Sequence, residues 1–120
     1  MKSYIDIEQS KKLAKILPLE SADMYYFLDP TPVGNVYHLI VQQIDFGVKT
    51  KEPEYDKGDI PCWSLAALLN VLPKSLIYTP NPTLDGYSCK NIMHDLETYA
   101  DNPVDVCYEM ILKLYKQNLI

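Results

Sequence analysis

The sequence contains no arginine, and it carries a net charge of −5 from 16 acidic and 11 basic side chains. Binding to a nucleic-acid backbone is driven by basic side chains that release counterions from the phosphates. Every basic residue here is a lysine, so the chain has no guanidinium group for paired phosphate contacts, and its lysines form no basic run. We therefore expect no nucleic acid among its partners.

Cysteine and glycine are also scarce. Cys62, Cys89 and Cys107 are odd in number, widely spaced and outside any Cys-x-x-Cys pattern, which argues against a disulfide framework or a zinc site. His38 and His94 add no metal-ligand spacing to them. The four glycines form no glycine-rich phosphate-binding motif. The sequence thus predicts no metal and no cofactor.

Long apolar runs are missing as well. The longest nearly apolar stretch, Leu65 to Leu72, is too short to cross a bilayer. Residues 1–17 mix lysines with acidic residues and contain no apolar segment of the kind found in signal peptides. Together with the unpaired cysteines, these absences predict a cytoplasmic protein that keeps its thiols reduced and does not bind a membrane.

Hydrophobic side chains are plentiful. They make up 48% of the 120 residues, which is enough to form the core of an ordinary domain. No repeat or linker divides the chain, so we expect a single α+β domain over residues 1–120. Apolar stripes with capping residues predict three helices. In chain order, these helices and their N-caps are Ile7 to Leu17 after Asp6, Leu65 to Leu72 after Ser64, and a last helix from Pro103 after Asn102.

Segments rich in aromatic and β-branched residues predict short strands between the helices. The first two form a hairpin across a turn-rich loop at residues 29–35. The order α-β-β-α-β-β-α predicts an antiparallel sheet of about four strands packed with three helices. The predicted strands are Ala22 to Leu28, Val36 to Ile44, Leu76 to Thr79 and Tyr87 to Met93, and residues 94–100 remain open between a strand and a connection.

Three segments carry a resemblance to known proteins: ESADMYYF at residues 20–27, DIPCWSLAALLNVLP at 59–73 and YADNPVDVCYEMILKL at 99–114. In this order they resemble a family of short uncharacterised proteins from gut bacteria and their bacteriophages. The resemblance spans nearly the whole chain. It implies a bacterial or phage origin, and it lends no activity, substrate or catalytic residue.

Cys62 is the first candidate for chemistry, because the positive end of the following helix would favour a thiolate. His38 or His94 would be its base. Nothing in the sequence brings these side chains together, and free cysteine is among the most buried residue types. Core packing beside Trp63 is therefore the favoured interpretation. A cysteine-dependent enzyme or small-molecule-binding domain that uses Cys62 is the alternative.

Aromatic residues are the strongest functional signal, since Trp63 and ten tyrosines are spread over the whole chain. Tyrosine and tryptophan are enriched at protein interfaces, although tyrosines also fill cores with their hydroxyls at the edge. We therefore predict a small non-enzymatic interaction module that binds a protein partner or itself. The residues singled out for binding, on a tyrosine-bearing sheet face or at the corner from Pro61 to Ser64, are Cys62, Trp63, Tyr25, Tyr26 and Tyr37.

Overall fold

The computed structural model describes residues 2–41, 58–73, 81–91 and 95–120. In these ranges the chain forms three α-helices, one short 3-10 helix and two antiparallel sheets of three strands each. The helices are α1 (Ile7–Ala14), α2 (Leu65–Val71) and α3 (Pro103–Lys116), and the 3-10 helix is Leu19–Ser21. The strands are β1 (Met24–Thr31), β2 (Gly34–Val41), β3 (Ile60–Cys62), β4 (Asn81–Thr83), β5 (Gly86–Asn91) and β6 (Leu96–Ala100).

The predicted α+β class, the three helices and the antiparallel pairing are confirmed. The strands differ in number and grouping, because six strands form two sheets where about four strands of one sheet were expected. Backbone contacts divide the chain into two compact units, which are Asp6–Trp63 and the combination of Met1–Ile5 with Ser64–Ile120. The expectation of one domain over residues 1–120 stays a prediction.

The unit Asp6–Trp63 holds α1 and the first sheet, whose strand order is β2-β1-β3. Helix α1 begins with the predicted capping box, in which the Asp6 carboxylate accepts from the Gln9 amide and the Gln9 side chain accepts from the Asp6 amide. The helix packs against β3. It ends at Ala14, three residues earlier than predicted, because a residue that precedes a proline, here Leu17, is disfavoured in helical conformation.

Strands β1 and β2 form the predicted hairpin, with a much tighter connection than expected. Pairing continues to Thr31 and Gly34, so only two residues make the turn. Gly34 has a φ of +128°, which favours glycine at this position. The turn-rich composition of residues 29–35 therefore marks a short turn flanked by strand residues rather than a long loop.

In the other unit, α2 and α3 pack together, and α3 also packs on β5 and β6. Helix α3 begins as predicted, with the Asn102 side chain accepting from the Asp105 amide at 2.9 Å and Pro103 in the first turn. Lys2 donates to the Asp105 carboxylate at 2.7 Å, which links the start of the chain to this helix. Helix α2 stops at Val71 because Leu72, which precedes a proline, is extended.

Two short strands were missed by the sequence patterns. β3 and β4 have three residues each and contain Pro61 and Pro82, respectively, so neither shows an alternation that could be recognised. Within residues 94–100, for which the sequence predicts either a strand or a connection, Leu96–Ala100 forms β6. The predicted strand from Leu76 to Thr79 lies outside the described residues. None of the helices that the structure describes has the length and apolarity needed to cross a bilayer.

Candidate interaction surface

The register of the first sheet decides which side chains share a face, since directly opposed residues of antiparallel strands lie on the same side. Met24 lies opposite Cys62, and Tyr26 lies opposite both Leu39 and Ile60. These residues, with Leu28 and its partner Tyr37, form what we call the inner face. The side chains between them point to the opposite side, which we call the outer face. The outer face includes three opposed pairs of β1 and β2: Tyr25 with Ile40, Phe27 with His38, and Asp29 with Val36.

The five residues singled out from the sequence are therefore separated by the sheet. Cys62, Tyr26 and Tyr37 belong to the inner face, whereas Tyr25 lies opposite Ile40 on the outer face. Trp63 follows β3 and is fully buried, as is Cys62. Tyr26 is also buried, and Tyr25 and Tyr37 are half-buried. The corner from Pro61 to Ser64 thus presents no exposed cysteine or tryptophan to a partner.

Trp63 is held by a specific hydrogen bond. Its indole Nε1 donates to the Ser21 hydroxyl at 2.9 Å, and that hydroxyl in turn donates to the Pro18 carbonyl. The 3-10 helix that contains Ser21 therefore connects the loop after α1 to the end of β3. A buried indole N–H needs such a partner, because an unpaired buried donor is costly. Trp63 is thus a core residue whose polar edge is satisfied.

Cys62 lies in surroundings that suit a neutral thiol. Burial raises the pKa of its thiol, and the nearby Asp23 carboxylate raises it further, while hydrogen bonds with the Ser10 and Tyr26 hydroxyls act in the opposite direction. The net effect is a raised pKa, which keeps the sulfur protonated at neutral pH.

His38 lies on the other side of the sheet. Its Nε2 is 3.2 Å from the Asp29 carboxylate, and its ring stacks on Phe27 with the ring centroids 6.4 Å apart. His38 is paired with Phe27 and Cys62 with Met24, and these two β1 residues are three positions apart. His38 and Cys62 therefore point to opposite faces. His94, the other predicted base, lies outside the described residues.

The other two cysteines form a buried pair in the second unit. Cys89 on β5 and Cys107 on α3 are both fully buried and are not joined by a disulfide. The hydrogen bond with Cys89 raises the pKa of the Cys107 thiol, and burial raises it further. No group of three or more potential metal ligands occurs in the part of the chain that the structure describes. All three cysteines are therefore buried free thiols.

The remaining tyrosines are scattered in exposure. Tyr108 is buried within α3 and Tyr87 on β5 is half-buried, while Tyr4, Tyr99 and Tyr115 are exposed. Tyr55 and Tyr78 lie outside the described residues. The exposed tyrosines belong to three different elements or segments of the second unit, so the number of tyrosines does not by itself define a surface.

The outer face is the more coherent aromatic and apolar surface of the first sheet. Its exposure increases across the sheet: Pro61 on β3 is buried, Tyr25 and Phe27 on β1 are half-buried, and Val36 and His38 on β2 are exposed. Val36 keeps 42% of its surface exposed, and the His38 side chain keeps 54%. Phe27, Val36 and His38 were not predicted as binding residues, although His38 was a candidate base for Cys62, because the prediction grouped consecutive tyrosines. The two-residue period of a strand separates Tyr25 from Tyr26 and joins it to Phe27.

No protein-family model matches the chain, and searches of curated proteins and of solved structures also find no match. The resemblance to the gut-bacterial and phage family stays a prediction.

Proposed function

We propose that this chain is a small non-enzymatic interaction module that binds a protein partner or a second copy of itself through the outer face of the first sheet. The main support for this proposal is the exposed part of that face on β2. There, Val36 and His38 are accessible beside the half-buried Phe27, so apolar, aromatic and polar groups lie next to one another. Such a mixture is typical of protein interfaces. We also propose a cytoplasmic location and a bacterial or phage origin.

The geometry around Cys62 supports this choice over enzyme chemistry. A nucleophilic cysteine needs an accessible sulfur, a lowered pKa and a base within reach. Cys62 is fully buried, its pKa is raised, and His38 lies across the sheet from it. Each of the three observations counts against a cysteine-dependent reaction at this position.

One exposed side chain of the outer face, that of His38, is held in a defined orientation. Asp29 and Phe27 hold the His38 ring from two directions, by a polar contact and by stacking. A side chain held in one orientation loses less conformational entropy on binding than a free one. The exposed edge of His38 is therefore presented to a partner in a defined position.

The test compares two valine variants with the same change in charge. Val36→Lys places a charge on the outer face, whereas Val33→Lys places it in the β1–β2 turn, where the valine is 96% exposed. The wild-type chain and both variants are immobilised, and proteins captured from a lysate of the cells that carry the gene are identified by mass spectrometry. Light scattering on each purified chain measures self-association.

The proposal expects one interaction, with another protein or with a second copy, that Val36→Lys weakens by at least about tenfold and that Val33→Lys retains. The near-complete exposure of Val33 and the partial exposure of Val36 make both variants compatible with folding, which circular dichroism verifies. An interaction that survives Val36→Lys unchanged would place binding elsewhere. A chain that neither self-associates nor captures any protein in a Val36-dependent way would overturn the proposal.

A further inference from the structure

We infer that two copies of this chain associate by antiparallel pairing of their β2 strands, edge to edge, into one continuous sheet. This inference rests on the proposed function and names the partner as a second copy. Among the described residues, β2 pairs with β1 alone, so within that part of the chain it is an edge strand of the first sheet. Every second residue of an antiparallel edge strand directs its backbone N–H and C=O groups away from the sheet.

The β2 edge differs from the three other sheet edges. Sheet edges are usually protected by shortness, proline, charge or a covering group. β3 and β4 have three residues each and contain Pro61 and Pro82. β6 contains Glu97, whose carbonyl accepts a hydrogen bond from Lys113 at 2.8 Å. Each of these edges thus carries at least one device that discourages pairing.

The β2 strand itself is not short and contains neither proline nor a charged residue. It is eight residues long, GNVYHLIV, and contains no proline, lysine, aspartate or glutamate. Its side chains at Val36, His38 and Val41 are exposed. An exposed strand of this length without charge is a template for the addition of another strand.

The same lack of charge favours a second copy as the partner. When a strand pairs with itself around a two-fold axis, every side chain meets either itself or another residue of the same segment. A charged residue near the middle would then face its own copy, and like charges in opposed positions are destabilising. With its formal charge of zero when His38 is neutral, β2 avoids that repulsion although the whole chain carries −5.

The pairing also predicts which residues lie at the two-fold axis. The registers that overlap β2 most fully, while keeping both outer faces on one side, are centred on Tyr37 or His38. The two His38 side chains are then directly opposite or diagonal neighbours. The outer faces of both copies join across the axis, so that Val36 of each copy lies close to His38 of the other in one register.

The central position of His38 allows a sharp test. His38→Lys places two like charges at the axis. Within each copy, the introduced ammonium group still has the Asp29 carboxylate as a neighbour of opposite charge. Sedimentation velocity over a wide range of chain concentrations should show a dimer for the wild type and at least a tenfold weaker association, as an order of magnitude, for His38→Lys. Val33→Lys adds a lysine in the turn and should associate as the wild type does.

A mixing experiment separates repulsion at the axis from damage to the fold. The variant Asp29→Asn/His38→Glu carries the opposite charge at position 38 and removes the neighbouring carboxylate. Alone, it should be as monomeric as His38→Lys. Mixed with His38→Lys in equal amounts, it should form a heterodimer, since opposite charges then meet at the axis.

Hydrogen exchange on the wild type locates the contact without any substitution. Backbone amides of β2 should gain protection as the chain concentration rises, whereas amides of β4 and α3 should not. Protection that rises in another element, or a dimer that His38→Lys leaves intact, overturns pairing at β2.

The possible failures of the two proposals are distinguishable. A wild-type chain that stays monomeric at every concentration, yet captures another protein in a Val36-dependent manner, overturns the self-pairing and leaves the interaction module in place. A chain that shows neither behaviour overturns both. A dimer that depends on position 38, restored by the oppositely charged mixture, supports both.

Discussion

His38 and Cys62 lie on strands that flank β1 on its two sides, and their side chains point to opposite faces of the sheet. The pairing register alone sets this relationship. His38 is exposed and in contact with Asp29, while Cys62 is buried against Ser10 and Tyr26. A one-residue slip of either strand would move its side chains to the other face. The separation therefore follows from the same register that buries Met24 and Tyr26.

Burial and a raised pKa predict slow alkylation of Cys62 in the native protein. Iodoacetamide reacts with the thiolate, so a raised pKa lowers the reactive fraction at neutral pH, and the absence of exposed surface blocks the reagent. We expect Cys62, Cys89 and Cys107 to react only as fast as the protein opens, and all three to react rapidly in denaturant. Mass spectrometry of peptides from a time course gives the rate at each position. Fast labelling of Cys62 at neutral pH in folded protein would revive the enzyme alternative.

The raised pKa of Cys62 also predicts a loss of stability at alkaline pH. Below the ordinary thiol pKa of 9.0 both folded and unfolded states are protonated, and the stabilisation of the buried neutral thiol is fully present. Above that value the unfolded state ionises first, so the free energy of unfolding falls as pH rises, by at most about 1.4 kcal/mol per pH unit for one proton.

The measurement compares denaturant unfolding of the wild type and Cys62→Ala between neutral pH and a pH above 9.0. Cys62→Ala costs a constant amount through the lost sulfur, but it cannot ionise. The stability difference between the two proteins should therefore shrink as pH rises. A difference that stays constant through the alkaline range contradicts a raised pKa at Cys62.

Local signals predicted the helices well. Asp6 with Gln9, and Asn102 with Pro103, mark helix starts because a cap satisfies backbone amides that have no partner within the helix. These preferences involve residues three or four positions apart, so a sequence reveals them directly. Pro73 likewise stops α2 through its effect on the preceding residue.

The sheets depend on partners that are distant in the chain. β3 is a strand because Pro61 and its neighbours lie opposite β1, which comes much earlier in the sequence, and nothing in its three residues indicates this. Of the five residues singled out for binding, Tyr25 alone lies on the outer face. The sequence could not separate it from Tyr26, because the two are adjacent in sequence but lie on opposite faces of the sheet.

The hydrogen bond between Trp63 and Ser21 predicts a measurable coupling energy. Trp63→Phe removes the indole N–H together with part of the ring, and Ser21→Ala removes the acceptor. We expect each single variant to be destabilised, the tryptophan variant more, since it also leaves a cavity. The double variant should be more stable than the sum of the two effects implies, by about 1 kcal/mol, which is the net value of one buried hydrogen bond.

Denaturant unfolding of the four proteins closes this cycle, with circular dichroism as the signal because Trp63 is the only tryptophan. Ser21 also donates to the Pro18 carbonyl, and Ser21→Ala removes that bond in both backgrounds, so its contribution cancels. Strictly additive effects would mean that the hydrogen bond between Trp63 and Ser21 contributes nothing to the free energy of unfolding.

Two glycines with positive φ predict very different costs for the addition of one methyl group. At Gly86 the φ is +153°, and a Cβ would lie 2.5 Å from the Ala100 carbonyl oxygen on the paired strand β6. At Gly34 the φ is +128°, but nothing lies within 4 Å of the added atom. Gly34→Ala should therefore cost only the conformational strain, about 1 kcal/mol.

Gly86→Ala should cost that strain and, in addition, the displacement of backbone in the second sheet, which brings the loss to about 3 kcal/mol or more. Both substitutions add the same atoms at the first residue of a hairpin strand, so each is the control for the other. Thermal unfolding followed by circular dichroism ranks them directly. Equal losses of stability would mean that β5 and β6 can separate at no cost, and the close approach of Gly86 to Ala100 would then contribute nothing to the second sheet.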